Sequence, residues 1–204
     1  MSTRRAATSR DPRSPRGTTR ARILAAARKL YFAHGPTGVT ARKIAQAVGV
    51  SPTAIYLYYR NLGELLEHLR LEGHALLAER LRAVPDGPAP ARIAAMGRAY
   101  FRFGAEHPRF YALIFGLDAA RPSRRAVQRE MATLMLLFEV VRTGIERGEI
   151  RRDLDPMVAT NALWAQIHGV TALAVSGLLL ETAGGHPEAV LDAVLASALH
   201  GVLP

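Results

Sequence analysis

The segment Thr40–Tyr59 holds the residues whose types and spacing could perform chemistry. Thr40 and Ser51 each precede a short helical pattern, and both are residue types that cap helix N-termini. Pro52 stands where its missing N–H costs nothing, and Gly49 lies between the two patterns. Two short helices joined by a turn with glycine form a helix-turn-helix, whose second helix can reach base edges in the major groove of DNA. The predicted chemistry is therefore noncovalent recognition.

The positive charge of the chain is concentrated around this segment. The 204 residues include 27 Lys and Arg against 17 Asp and Glu, which gives a net charge of +10. Residues 1–60 contain 12 of the basic residues and one acidic residue, whereas residues 61–204 contain 15 basic and 16 acidic residues. A basic section followed by a nearly neutral one is typical of a polyanion-binding module joined to a domain with another role.

The composition excludes several classes of protein. Hydrophobic residues make up 49% of the chain and charged residues 22%, which is globular composition. The absence of cysteine excludes disulfides, thiolate metal sites and cysteine nucleophiles. Met1–Thr19 lacks the apolar segment of a secretory signal, and the longest nearly apolar run, Gly169–Leu180, is too short to span a bilayer. We therefore expect a cytoplasmic protein with no membrane partner.

The elements that must position the segment are all helical in pattern. No stretch alternates apolar and polar residues long enough to predict a strand, so we expect an all-α fold of about nine helices. Residues 1–17 read as a flexible basic arm, 18–62 as a three-helix DNA-binding domain, and 63–204 as a helical ligand-binding and dimerisation domain. The helices are expected from 18 to the turn at His34, at 41–48, from 52, from 61 toward 84, and near 89–106, 108–117, 122–147, 156–181 and 187–201.

Residues 18–66 resemble the DNA-binding domain of the tetracycline-repressor family of bacterial transcriptional regulators. One helix ends in a His-Gly turn at His34, and the stretch Val39–Leu66 follows with the family's pattern. That pattern is an Ile-Ala pair, a turn at glycine, a tyrosine with an aromatic pair, and a capped long helix. Its residues here are Ile44, Ala45, Val48, Gly49, Val50, Ser51, Ile55, Tyr56, Tyr58, Tyr59, Asn61 and Leu65.

The resemblance implies DNA contacts for ten residues. Thr40 and Lys43 match positions that contact phosphates at a helix N-terminus, and Arg42 matches one that reaches a guanine edge in some relatives. The family's usual lysine is replaced here by Leu62, and we expect Arg60 to substitute for it. The predicted base-facing and phosphate-binding residues are Thr40, Arg42, Lys43, Ser51, Pro52, Thr53, Ala54, Tyr56, Tyr58 and Arg60.

Two tyrosines of this stretch leave an alternative open. Tyr56 could contact DNA or pack against the first helix of the motif, and these two interpretations have equal support. For Tyr59 packing is the favoured interpretation.

The second part of the chain contains aromatic and apolar faces that could form a core or a ligand site. Trp164 and His168 share one helix face at i and i+4, and Gly169 follows them. This resembles the Trp-His-Gly subgroup of C-terminal domains in the same family, which implies a small-molecule effector. A structural role for His168 is the alternative. The candidate pocket residues are Met96, Tyr100, Phe103, Phe110, Phe138, Trp164 and His168.

The last two predicted helices, 156–181 and 187–201, are apolar enough either to complete the core or to meet a second copy. The resemblance implies the second, a homodimer built on a four-helix bundle. Its two recognition helices would read a palindromic operator in double-stranded DNA. The sequence is thus interpreted as a ligand-responsive repressor whose effector is hydrophobic or aromatic.

The sequence gives less support to two other classes of function, an enzyme and a protein that coats DNA. The chain has no Gly-rich phosphate loop, nucleophile elbow or HExxH motif, so we predict that it is not an enzyme and that it needs no cofactor. Glu64, His68 and Glu72 fall at i, i+4 and i+8 and could be drawn as metal ligands, but a solvated face explains them as well, and no metal site is predicted. A protein that coats DNA without sequence preference would not need the apolar domain of 63–204.

Overall fold

The computed structural model describes residues 15–115, 124–182, 184 and 186–204, and every regular element in these ranges is a helix. The prediction of an all-α fold is confirmed. The elements are α1 (Pro15–His34), a 3₁₀ turn (Pro36–Gly38), α2 (Ala41–Val48), α3 (Pro52–Ile55), α4 (Leu62–Arg82), α5 (Ala89–Glu106), α6 (Pro108–Ile114), α7 (Arg124–Arg147), α8 (Pro156–Val175), α9 (Leu178–Thr182) and α10 (Pro187–His200).

Two boundaries differ from the predicted ones for local reasons. The helix expected over 156–181 is divided into α8 and α9, because Gly177 adopts a φ of +80°, which interrupts a right-handed helix. Helix α1 begins at Pro15, so the last three residues assigned to the flexible arm are helical. Residues 1–14 of that predicted arm lie outside the described residues, as do 116–123, where two further helix ends were expected.

The chain divides into two compact units, one ending at Leu69 and the other beginning at Arg70. The boundary therefore lies inside α4, seven residues after the predicted boundary at 62. The first two turns of α4 belong to the first unit, where Leu65 and Leu69 are buried.

The first unit has a core formed by one face of each helix. Ile23, Ala27 and Tyr31 follow one another on α1 and are fully buried. Ile44 of α2 and Ile55 of α3 are buried as well, and α2 contacts both α1 and α3. Removing these side chains from water is the main free-energy gain that holds the unit together.

The second unit is organised around α5, which contacts α6, α7, α8 and α10. Two glycines on α5 allow two of these close approaches. A Cβ at Gly97 would lie 2.7 Å from a methyl of Leu195 on α10, and one at Gly104 would lie 2.5 Å from the methyl of Thr171 on α8. A larger residue at either glycine would therefore have to displace the neighbouring helix.

The substitution Gly104→Ala tests this packing. Because the added methyl would overlap Thr171, we expect the free energy of unfolding to fall by about 1–3 kcal/mol. Urea denaturation followed by the fluorescence of Trp164 measures it. Gly87→Ala is the matched control, since a Cβ there meets nothing within 4 Å. Equal stability of the two variants would contradict the close approach of α5 and α8.

Candidate functional site

The turn between α2 and α3 is built from the local signals seen in the sequence. The Thr40 hydroxyl accepts a hydrogen bond from the Lys43 N–H at 3.3 Å, which caps α2. Gly49 ends α2 with a φ of +77°. The Ser51 hydroxyl accepts from the Ala54 N–H at 3.2 Å and caps α3. The predicted caps are confirmed, and together with the left-handed conformation of Gly49 they define the path of the chain between the two helices.

The two helices bury one face and expose the other. Ile44, Ala45 and Val48 of α2 are buried, as is Ile55 of α3. The small side chain of Ala45 lies where the helices meet, and its carbonyl accepts from both N–H groups of the turn, those of Gly49 at 2.9 Å and Val50 at 3.0 Å. The polar residues of both helices are thereby left on the outer surface.

Eight of the ten predicted DNA-binding residues are exposed, and the other two, Ala54 and Tyr58, are partly buried. Tyr56 is 49% exposed, so its ring is free on one side. All ten lie on α2, on α3 or in the segments directly beside them. The ten residues are Thr40, Arg42, Lys43, Ser51, Pro52, Thr53, Ala54, Tyr56, Tyr58 and Arg60.

Arg60 has a carboxylate beside it. The Glu64 side chain accepts a hydrogen bond from the Arg60 backbone N–H at 2.8 Å, and the Arg60 Nε lies 3.5 Å from the same carboxylate. The backbone hydrogen bond from Arg60 is the main cause that lowers the pKa of Glu64. Glu64 therefore remains ionised near neutral pH and partly balances the charge of the exposed guanidinium. At the same corner, Asn61 accepts from the Glu64 N–H at 2.8 Å and caps α4.

A partly buried cluster joins α1 to the start of α4. Tyr59 is 1% exposed and its hydroxyl donates to the Arg20 carbonyl at 3.1 Å. The guanidinium of Arg20 lies 4.5 Å from the centre of the Tyr59 ring and donates to Nε2 of His68 at 2.8 Å. Nδ1 of His68 lies 2.8 Å from the carbonyl of Glu64. Because a guanidinium can only donate, Nε2 of His68 is the acceptor in this contact, which leaves Nδ1 to donate to the Glu64 carbonyl.

The cluster defines the surroundings of Tyr59 and His68. Tyr59 packs inside the first unit, as favoured from the sequence. His68 uses both ring nitrogens for protein contacts. Among the described residues, no group of three or more His, Asp or Glu is placed to hold a metal ion.

The sequence reasoning missed two residues of the first unit that bear on the site. Arg22 of α1 donates to the Val48 carbonyl at 2.7 Å, and so satisfies a free acceptor at the C-terminus of α2. Leu57 follows α3 and is 80% exposed. The exposure of Leu57 depends on where α3 ends, which the apolar pattern alone did not indicate.

The second unit brings three of the seven candidate pocket residues into one cluster. The Trp164 indole N–H donates to the Tyr100 hydroxyl at 3.4 Å, and that hydroxyl lies 2.9 Å from Nδ1 of His168. Tyr111, which the sequence did not single out, lies 2.8 Å from the same nitrogen and donates to the His168 carbonyl at 3.2 Å. Burial lowers the pKa of His168 and raises that of Tyr111, so both groups are neutral at pH 7.

The other four candidate residues, Met96, Phe103, Phe110 and Phe138, do not belong to this cluster. Tyr100 and Trp164 also line a cavity of about 260 Å³. Met96 lines a separate void of about 40 Å³ together with the same two residues. Phe103, Phe110 and Phe138 line neither cavity, and Phe103 is fully buried against the ring of His107 at 5.5 Å.

In the described part of the chain, no helix is both long and apolar enough to cross a membrane.

Two family models match the chain, one in each part. The model described as "Bacterial regulatory proteins, tetR family" matches residues 23–69, and "Tetracyclin repressor-like, C-terminal domain" matches residues 93–198, more than half of the chain. The second description does not name a Trp-His-Gly subgroup, so that finer assignment stays a prediction.

Individual proteins are similar over most of this sequence. The HTH-type transcriptional regulator Rv1816 of Mycobacterium tuberculosis is 30% identical over 149 residues, which cover 68% of this chain and 62% of that protein. The chain thus spans less than two thirds of the length of that relative.

Solved structures share the fold. A protein of unknown function from Rhodococcus sp. RHA1 matches with a TM-score of 0.81 and 26% identity, over 95% of this chain and 100% of that one. The fatty acid degradation regulator FadR from Bacillus halodurans matches with a TM-score of 0.66 and 21% identity, over 89% of this chain and 98% of that one. Both family models, this shared fold and the Rv1816 similarity agree, and the chain belongs to the tetR family of bacterial regulatory proteins.

Proposed function

We propose that this protein is a homodimeric transcriptional regulator, a repressor, that binds a palindromic operator and is released from it by a small molecule. The observation that carries the proposal is the capped pair α2 and α3, which buries its apolar face and exposes the start of each helix. Such a regulator acts by binding, which supports the prediction that the chain is not an enzyme.

The exposed residues support a division of DNA contacts into two kinds. Lys43 and the hydroxyl of Thr40 stand at the N-terminus of α2, where free N–H groups favour a phosphate. Thr53 is exposed in the first turn of α3, and a threonine methyl suits the methyl group of thymine. The guanidinium of Arg42 has the geometry to donate two hydrogen bonds to the O6 and N7 acceptors of guanine. Phosphate contacts contribute affinity to every sequence, whereas base contacts contribute specificity.

An exposed face of α8 supports a homodimer. Val158, Ala162, Ala165, Gly169 and Leu173 recur at spacings of three and four. A Cβ at Gly169 would meet nothing within 4 Å, and Val158 is 68% exposed. Small residues between two larger apolar ones allow a second helix to approach closely.

Helix α10 carries a similar face. Ala189, Ala193 and Ala196 are exposed at i, i+4 and i+7. With two such helices in each chain, a two-fold axis would generate a four-helix bundle in which each patch meets its own copy. The same axis would relate the two α3 helices, as a palindromic operator requires.

The response to a small molecule would depend on α4, because this helix contains residues of both units. We infer that an effector bound in the second unit displaces α4 and changes the separation of the two α3 helices. An effector can shift the equilibrium only by the difference between its affinities for the two states.

Binding to DNA is tested with variants of the two kinds of contact residue. An operator is first selected from a random duplex library with the full chain, and an inverted repeat is the expected product. We then expect Lys43→Gln to weaken binding to the operator and to random duplex by the same factor, and to reduce the salt slope by about 1. Thr53→Ala should weaken operator binding alone, by about 1–3 kcal/mol, with the salt slope unchanged.

Arg102→Gln is the control for charge, since Arg102 is exposed on α5 in the second unit. It should leave both affinities unchanged. A ratio of operator to random-duplex affinity near one for the unmodified protein would contradict the proposal and favour a protein that coats DNA without sequence preference.

The role of the exposed α8 face in a dimer is tested with an added charge. Ala165→Arg places a charge in the middle of the α8 face, so we expect light scattering to show a monomer and operator binding to weaken by at least about tenfold. Ala105→Arg adds the same side chain at an exposed position of α5 and should remain dimeric. A dimeric Ala165→Arg protein would remove this face from the interface.

The coupling between effector binding and operator binding is tested by titration. If an effector weakens operator binding by a given factor, linkage requires that the operator weaken effector binding by the same factor. Titrating the effector into the free protein and into its operator complex measures both. Equal effector affinity for the two forms would contradict release by a ligand.

A further inference from the structure

One cavity of the second unit has a lining that can select the chemistry of a ligand. It encloses about 260 Å³, slightly less than the ~300 Å³ at which drug-sized sites begin. Helices α4, α5, α7 and α8 and the residue after α6 contribute to it. Its lining residues are His74, Leu77, Tyr100, Phe115, Val127, Met131, Thr133, Leu134, Leu137, Asn161 and Trp164.

The described lining contains no Asp, Glu, Lys or Arg. In this described lining, a cationic ligand would lose its hydration without meeting a carboxylate, and an anionic ligand would meet only the imidazole of His74, so burying either charge is costly. The larger cleft of the same unit, about 490 Å³, differs in this respect. Six of its lining residues are charged: Arg82, Asp86, Arg92, Glu139, Arg147 and Glu149.

The groups that form hydrogen bonds with the lining residues Tyr100 and Trp164 are also neutral. Tyr100 and Trp164 share a hydrogen-bond network with His168, whose pKa burial lowers. The phenol of Tyr111, on the same network, keeps its proton because burial raises its pKa. No imidazolium or phenolate of this network would therefore attract an ion at pH 7.

The aromatic rings form a wall rather than a cage. The centre of the Phe115 ring lies 5.8 Å from that of Tyr100 and 6.4 Å from that of Trp164, and both pairs are tilted. Rings at these separations contact one another, so they do not enclose a cation between them. They present a continuous apolar surface on which another flat ring could pack.

Two apolar side chains of the lining are incompletely covered. Val127 and Met131 on α7 are 44% and 46% exposed, although their neighbours Leu134 and Leu137 are partly buried. A bound apolar molecule would remove part of this surface from water, which is favourable at roughly 25 cal/mol per Å². Thr133 and Asn161 add uncharged polar groups to the same lining.

We propose that this cavity binds an uncharged aromatic molecule of one or two rings, which packs on the wall formed by Tyr100, Phe115 and Trp164. The regulatory meaning of this binding rests on the function proposed above, but the binding itself does not. The described part of the lining offers no Asp, Glu, Lys or Arg to pair with a carboxylate or an ammonium group, so we expect ions of the same size to bind more weakly.

The test uses three probes that share an ethyl-substituted benzene ring: 4-ethylphenol, 4-ethylbenzoate and 4-ethylbenzylammonium. Trp164 is the single tryptophan of the chain, so its emission reports binding at the cavity directly in the purified full-length chain. At pH 7, we expect 4-ethylphenol to bind at least about tenfold more tightly than either ion.

The substitution Leu134→Phe adds volume inside the cavity, and Leu136→Phe is the matched control on the same helix, outside this lining. We expect Leu134→Phe to weaken binding of 4-ethylphenol about tenfold, and Leu136→Phe to leave it unchanged. Circular dichroism and thermal unfolding verify that both variants fold.

Three outcomes would overturn the inference: no emission change with 4-ethylphenol, binding of either ion as tight as that of 4-ethylphenol, or an unchanged affinity in folded Leu134→Phe. Operator binding by the unmodified protein, measured without any probe, decides the proposed function separately. A protein that binds its operator but not 4-ethylphenol would therefore retain the regulatory function and lose only this ligand class.

Discussion

Helices of eight and four residues are too short to persist alone in water, so α2 depends on burial against α1 and α3, and α3 depends on burial against α2. The side chains that provide this burial are few, chiefly Ile44 and Ile55. Because these two residues point inward, the outward face of each helix is fixed by the same packing. The candidate DNA surface is thus a consequence of the core of the first unit.

Packing within the first unit also reduces the positive charge that the first 60 residues can offer to a polyanion. Arg20 covers the ring of Tyr59 and donates to His68, and Arg22 satisfies the carbonyl of Val48. Arg60 has a carboxylate beside it. These arginines hold helix ends together or are partly balanced, so the charge available to a polyanion is smaller than the count of basic residues suggests.

In the second unit, aromatic residues that share one helical pattern have separate roles. Phe103 fills the core, whereas Tyr100, three residues earlier on α5, lines a cavity and joins a hydrogen-bond network with Trp164 and His168. A pocket prediction based on aromatic content therefore combined core residues with lining residues. It also missed Tyr111, whose hydroxyl contacts His168 from another helix.

The sequence by itself determined what depends on near neighbours: the helical fold, the caps at Thr40 and Ser51, and the turn at Gly49. These features involve backbone and side-chain groups within about four residues, and residue type decides them. Only the tertiary structure decided which distant groups meet, such as Arg22 with Val48 and Tyr100 with His168, separated by 26 and 68 residues. Such pairs follow from how whole helices pack, which is a sum of many weak contacts that no single residue encodes.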